Sequence, residues 1–281
     1  MLLSIHIAAG ELEIGPERSL TLTNRNTGLS PLVLARIAGF LYLIVIVGGA
    51  FAELIVRQRL IVTQDAAATA QKILANEQLF RWGFVAELVP LLCNMLLAVI
   101  FYELFAIVNR RIATLVVYCS LVGSAIEGAD LVNHMAPLIL LKRGEKLGID
   151  MSLLQAQAYM TLNLQSIGFA VALVFFGIAC LALGYLIYQS RFLPRFIGAF
   201  LAVEGFCYLI NSFVLFLAPA YAARVFQALM VAALAEIVLC LWLLIRGVNA
   251  SKWDERAASE ASHGDEALSP VLRRGNVVAN S

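Results

Sequence analysis

The chain has 281 residues, of which 61% are hydrophobic and 14% charged, and its mean hydropathy is +0.86. Soluble domains carry about 45–50% apolar and about 25% charged residues, so this is the composition of a polytopic membrane protein. A net charge of +1 offers no basic surface for nucleic acid, and no nucleic-acid partner is expected.

Residues 1–33 start with MLLSIHIAAG, which lacks a basic n-region and runs straight into ELEIGPE. That is neither a signal peptide nor a span, and this segment is expected to be poorly ordered. A span needs about 20 apolar residues. Six stretches qualify: residues 34–56, 82–108, 112–141, 153–189, 196–217 and 226–246. Backbone groups in lipid must be satisfied internally, so these are helices. No short alternating segments of a membrane β-barrel occur. The expected fold is therefore an all-α, six-helix integral membrane bundle over residues 34–247.

Between the first two spans, Asp65 is placed to N-cap a short helix carrying Ile73 and Leu74, lying on the bilayer surface or capping the bundle. The tail, residues 248–281, is rich in Ser, Glu, Asp and Gly and is expected to be disordered. An even number of spans puts both termini on one side. Arg36, Arg110, Arg111, Arg191, Arg195 and Arg246 flank the spans there, against Arg57, Arg59, Arg81, Lys142, Arg143, Lys146 and Arg224 opposite. The terminal side concentrates its cations in very short loops, which favours cytoplasmic termini.

All five cysteines lie within apolar runs and none forms a CxxC pair, so they read as small buried residues. The carboxyls inside the spans are the informative feature. Glu53 and Glu87 lie near helix ends, whereas Glu127, Asp130, Glu204 and Glu236 lie deeper. Four charged carboxyls facing lipid would cost roughly 10 kcal/mol, so they must face the bundle interior or water, be paired, or be protonated. At ~100° per residue, Glu127, Asp130 and His134 fall within about 60° of one another. Ser120 and Ser124 extend that face and Asn133 sits at its edge. Asn163, Gln165 and Asn211 enter from the side opposite the termini. The expected picture is one polar cavity open to that side, with Glu127, Glu204 and Glu236 near its floor. Asp130 and His134, one turn apart, are expected to pair. Set against this, interhelical hydrogen bonds worth ~0.6–2 kcal/mol each also hold bundles together without any further role. Tyr42 reads as an interface or packing aromatic, and Gly48, Gly49, Gly123, Gly128, Gly177, Gly184, Gly198 and Gly205 as close-packing positions.

Several chemistries are excluded. Only His134 of the three histidines lies in a span, so a three-histidine zinc site and a bis-histidine haem within one chain are ruled out. There is no GxSxG, P-loop or dinucleotide fingerprint. The Glu-x-x-His pattern of bundle di-metal sites is not matched by Glu127-x-x-Asp130. A carboxylate-rich metal site of His134, Asp130 and Glu127 joined by Glu204 or Glu236 stays open, but no cofactor or metal is expected.

The stretches RIAGFLYLIVIVGGAFAEL, residues 36–54, and LVFFGIACLALGYLIYQSRFLPRFIGAFLAVEGFCYLINSF, residues 173–213, resemble a bacterial membrane family catalogued as domain of unknown function 4386. The resemblance covers about residues 34–247. It implies a multi-helix protein of the bacterial inner membrane and no assigned activity. In the family pattern, histidines often stand before and after the FFG, where this chain has Gln165 and Ala179. That departure counts against metal or haem chemistry there.

The reading that follows is a bundle whose polar cavity binds or transports a small solute, cation or proton. The bilayer is its partner, with a small polar or lipid ligand besides. The alternatives are a membrane enzyme acting on a lipid or prenyl substrate through Asp130 and His134, and a structural or regulatory subunit.

Overall fold

The computed structural model describes residues 29–229 and 234–260. Among these residues there are helices and no strand. Helix α1 (Pro31–Leu60) starts with proline at its first turn, and the Ser30 hydroxyl accepts from Val33 N. Its stretch Phe51–Arg57 is π-helical, and Gln58 N–H bonds back to Glu53 O. Such an extra residue in a helix re-aims the side chains around it.

Helix α2 (Ala66–Ala75) is capped by Asp65, whose Oδ1 accepts from Ala68 N at 2.8 Å, as the sequence predicts. Ile73 is fully buried against Val56, Leu60, Phe80, Leu138 and Leu162, so α2 closes one end of the bundle. Then follow α3 (Glu77–Phe105), α4 (Arg110–Lys146), α5 (Met151–Ser190) and α6 (Arg195–Leu217). Asn109 caps α4 through Ile112 N, and Asp150 caps α5 through Ser152 N and Leu153 N. The Ser152 hydroxyl, with those two backbone amides, holds the Asp150 carboxyl below its ordinary range. Two shorter helices, α7 (Pro219–Leu229) and α8 (Leu234–Ile245), precede α9 (Ala250–Glu260).

Five helices, α1 and α3–α6, are long and apolar enough to cross a membrane; a sixth crossing is counted only if the bent pair α8–α9 is one span. The expected sixth span, residues 226–246, lies partly outside the described residues. Its described helix α8 has 12 residues, about 18 Å against a ~30 Å hydrocarbon core.

The helices form a closed ring. Helix α1 packs on α3, α3 on α4, α4 on α5 and α5 on α6, and α8 bridges α6 back to α1. The exterior is apolar, with Leu92, Leu96, Val99, Phe200 and Phe206 facing outward, as lipid contact requires. The end holding the start of α1 and the end of α8 is called proximal below; α2 closes the distal end. At the proximal end, Leu34, Leu104, Phe105, Ile187, Ile197 and Leu243 share one buried cluster.

Antiparallel α5 and α6 approach through two glycine pairs. A Cβ on Gly184 would fall 2.6 Å from Gly198 O, and one on Gly205 would fall 2.6 Å from Gly177 O. Both pairs were expected close-packing positions. The expectation fails at Gly49, where a Cβ meets nothing within 4 Å because the residue faces away from the neighbouring helices.

The chain between residues 248 and 260 corrects the expectation of a disordered tail. Val248 is buried, Asn249 N donates to Phe192 O at 3.1 Å, and Trp253 Nε1 donates to Leu104 O at 3.0 Å. Leu104 O lies within a turn of the end of α3 and is one of the carbonyls a helix terminus leaves for another partner. A single tryptophan among polar residues was the only signal of this docking. The remaining expectation for residues 261–281, like that for residues 1–28, lies outside the described residues.

Two outcomes are expected in detergent unfolding titrations. Gly198→Val costs about 3 kcal/mol, whereas Gly49→Ala stays within about 1 kcal/mol. Trp253→Ala, or truncation after residue 249, costs about 1–3 kcal/mol; unchanged stability on truncation would show that α9 does not support the bundle.

Candidate polar sites within the bundle

The π-helical end of α1 points Arg57 inward. Its Nη1 donates to Gln165 Oε1 at 3.3 Å, and Nη2 donates to Ser166 Oγ at 2.5 Å and Leu162 O at 3.4 Å. Arginine has no acceptor, so this contact fixes the Gln165 amide with its oxygen toward Arg57. The amide nitrogen then faces Glu87 Oε2 at 2.9 Å and His134 Nδ1 at 3.4 Å.

His134 is buried and stacks on Phe80, with ring centroids 4.5 Å apart. Its Nε2 lies 3.0 Å from Phe80 O. A carbonyl only accepts, so Nε2 carries a hydrogen. Nδ1 lies 3.3 Å from Glu87 Oε2. Two hydrogen-bond states fit this geometry. The neutral ring accepts at Nδ1 from Gln165, and the imidazolium donates from Nδ1 to Glu87. The space beside these groups, lined by Arg57, Phe80, Glu87, His134 and Gln165, is about 10 Å³, room for about one water.

The expected Asp130–His134 pair is replaced by Glu87–His134. Asp130 accepts from Asn133 Nδ2 at 2.7 Å and lies against Gly168 of α5, where a Cβ would strike its carboxyl. Of the face Ser120–Ser124–Glu127–Asp130–His134, Ser120, Ser124 and His134 are buried, Glu127 and Asp130 are partly buried, and Val132 opposite is exposed. The angular reading could not say which neighbour reached His134 first. That was decided by α3, whose Gly83 lets the ring approach closely.

Glu53 lies 3.9 Å from Arg57 Nε, and its side chain is 40% exposed. Glu127 is half-buried, Asn211 is partly buried beside the buried Ser212, and Asn163 is exposed. Asn163 is therefore not part of an inward cavity.

Glu204 and Glu236 do not lie at the floor of the same cavity. They form a second cluster with Tyr208, whose hydroxyl is 3.0 Å from Glu204 Oε1 and 3.2 Å from Glu236 Oε1. Helix α5 contributes to both clusters, Gln165 to one and Cys180 to the other; fifteen residues apart, these lie about 22 Å apart along its axis. Arg57, Tyr208 and Cys180 had no assigned site role from sequence. The i,i+4 spacings Glu53–Arg57 and Glu204–Tyr208 were the available signals for the first two.

Comparison with known proteins supports the membership that the sequence motifs indicate. The model of the family DUF4386, a domain of unknown function, matches residues 37–247. An uncharacterized protein of Archaeoglobus fulgidus is 30% identical over 79 residues. That match covers 28% of this chain and 46% of the other protein, so the chain spans about half the length of the relative it matches. No solved structure matches the chain.

A double-mutant cycle checks the revised pairing. Glu87→Gln with His134→Gln should show about 1–2 kcal/mol of coupling in detergent unfolding, and Asp130→Asn with His134→Gln should be additive within about 0.5 kcal/mol. Coupling at Asp130 instead of Glu87 would overturn this arrangement.

Proposed function

Because the chain belongs to the DUF4386 family, whose function is unknown, and folds as a polytopic helical bundle, we propose that it takes up and passes protons at its distal side through Glu87 and His134. The observation that carries this reading is the position of His134 Nδ1 between an amide donor at 3.4 Å and a carboxylate acceptor at 3.3 Å. One proton moved onto Nδ1 exchanges one satisfied hydrogen-bond set for another, with Nε2 anchored on Phe80 O throughout.

The volume beside the ring favours a proton or a water over a larger solute. Exposure falls along a path from Glu53 at 40% through Arg57 at 26% and Glu87 at 18% to His134 at 5%, which supports entry from the distal face. Glu87 is the charged group in contact with the ring; Glu53 of α1 and Glu127 and Asp130 of α4 lie within electrostatic reach of Glu87, and Arg57 of α1 bonds the neutral Gln165 of α5. Arg57 holds Gln165, and so sets which atoms His134 meets.

The setting is the bacterial inner membrane, with the proximal end cytoplasmic. The short loops at that end, which carry Arg110, Arg111, Arg191 and Arg195, support this orientation. The His134 network then opens to the periplasm.

Proteoliposomes containing a pH-sensitive dye test the reading. After an acid pulse, the wild-type protein should acidify the lumen at least about 10-fold faster than Glu87→Gln or His134→Gln, the loss typical of removing a proton-transfer group. Wild-type flux equal to that of protein-free liposomes would overturn it.

A further inference from the structure

The proton reading leaves a second buried cluster unused. Cys180 of α5, Glu204 of α6 and Glu236 of α8 each present one ligand atom, and these atoms lie within 4.8 Å of one another. Each residue stands nine or ten positions from the proximal end of its helix, about 13–15 Å in and near the middle of a ~30 Å hydrocarbon core.

The hydrogen-bond inventory there does not balance. Two carboxyls bring four oxygens. The Tyr208 hydroxyl has one hydrogen for two carboxyl oxygens, and the Tyr42 hydroxyl bonds to Glu236. Glu204 is completely buried, and its Oε2 has no hydrogen-bond partner. Among the described residues no Lys, Arg or His pairs with either carboxyl. A buried polar atom without a partner destabilises the fold, and so does a charged carboxyl at this depth. The site thus lacks positive charge at a place where three ligand residues converge.

The donor set selects among cations. One thiolate with two carboxylates suits a borderline divalent ion, whereas oxygen-only sites suit Mg²⁺ or Ca²⁺. Around Zn²⁺, bond lengths of ~2.3 Å to sulfur and ~2.0–2.2 Å to oxygen place tetrahedral ligands about 3.5 Å apart, which small side-chain rotations reach from here. Three protein ligands leave a fourth position open.

We propose that Cys180, Glu204 and Glu236 form an intramembrane site for one divalent cation of the Zn²⁺ class, with the Tyr42 and Tyr208 hydroxyls orienting the carboxylates. Binding replaces the Cys180 thiol proton, and any carboxyl proton, by the metal and releases them to solvent. The ion offsets two of the three ligand charges, the Tyr42 and Tyr208 hydroxyls solvate the one that remains, and Glu204 Oε2 gains a partner. The site is independent of the His134 network.

Co²⁺ titration of chelator-treated protein in lipid nanodiscs tests the site. The wild type should bind one Co²⁺ per chain, with a thiolate charge-transfer band that Zn²⁺ abolishes. Cys180→Ser should remove the band and weaken binding at least 10-fold. Glu204→Gln should weaken it at least as much, and Tyr208→Phe by about 10-fold. Cys93→Ser, on α3, should change neither. Absence of stoichiometric binding by the wild type overturns the proposal, as does a band unchanged in Cys180→Ser. If Glu204→Gln fails to fold, the near-isosteric Cys180→Ser decides, since its band and affinity are read on folded protein. Proton flux through His134 is measured separately, so either reading can fail alone.

Discussion

A carboxylate inside a bilayer has no water to turn to, so it must meet protein donors, a proton or a cation. Every span of this chain except α5 carries at least one carboxyl within its apolar run, and the ring of helices is the shape that turns those groups inward. The apolar exterior follows from the same constraint seen from outside. Leu92, Val99, Val132 and Phe206 face lipid because the opposite faces of α3, α4 and α6 are occupied by Asn94, Ser124, His134 and Glu204.

Two devices allow the ring to close around polar groups. Small residues bring backbones together where side chains would hold them apart. The pairs Gly177–Gly205 and Gly184–Gly198 do this for α5 and α6, and Gly83 does it for the approach of α3 to His134. The other device is the π-helical stretch of α1. With an ordinary helical continuation, Arg57 would point in a different direction. In the structure it reaches across to α5 and holds Gln165, Ser166 and the Leu162 carbonyl together. A single arginine thereby orders an amide, and the amide orders a histidine–carboxylate pair. The cation keeps about a quarter of its surface exposed, so its own desolvation is partial while its guanidinium directs a buried network.

The two polar clusters differ in what they lack. The distal one has a cation, an imidazole and an amide to balance its carboxylate, with room for about one water. The deep one has two carboxyls, two phenols and a thiol, and no basic side chain among the described residues. They share α1 and α5 as supports, since Tyr42 and Arg57 lie on one helix and Cys180 and Gln165 on the other. The shared supports hold the clusters at a set separation along the bundle axis, which keeps their chemistries apart.

The sequence by itself determined the class of the protein. Long apolar runs in a chain that must satisfy its own backbone bonds leave no choice but membrane helices. It also determined that α4 turns Ser120, Ser124 and His134 inward, because helical periodicity needs no neighbour to be read. The family was legible from the residues around the FFG and the FLPR turn. Which inward residues meet was decided only by the tertiary structure. A periodic face says that His134 points to protein; it does not say whether α3 or its own helix supplies the partner. That depended on a glycine clearance and on an arginine aimed by an irregular helix turn, both of which are contacts between helices. For the same reason, one expected cavity became two clusters, and Trp253 tied down a segment whose composition reads as tail. Local pattern fixes the direction a side chain faces, and only packing fixes what stands in front of it.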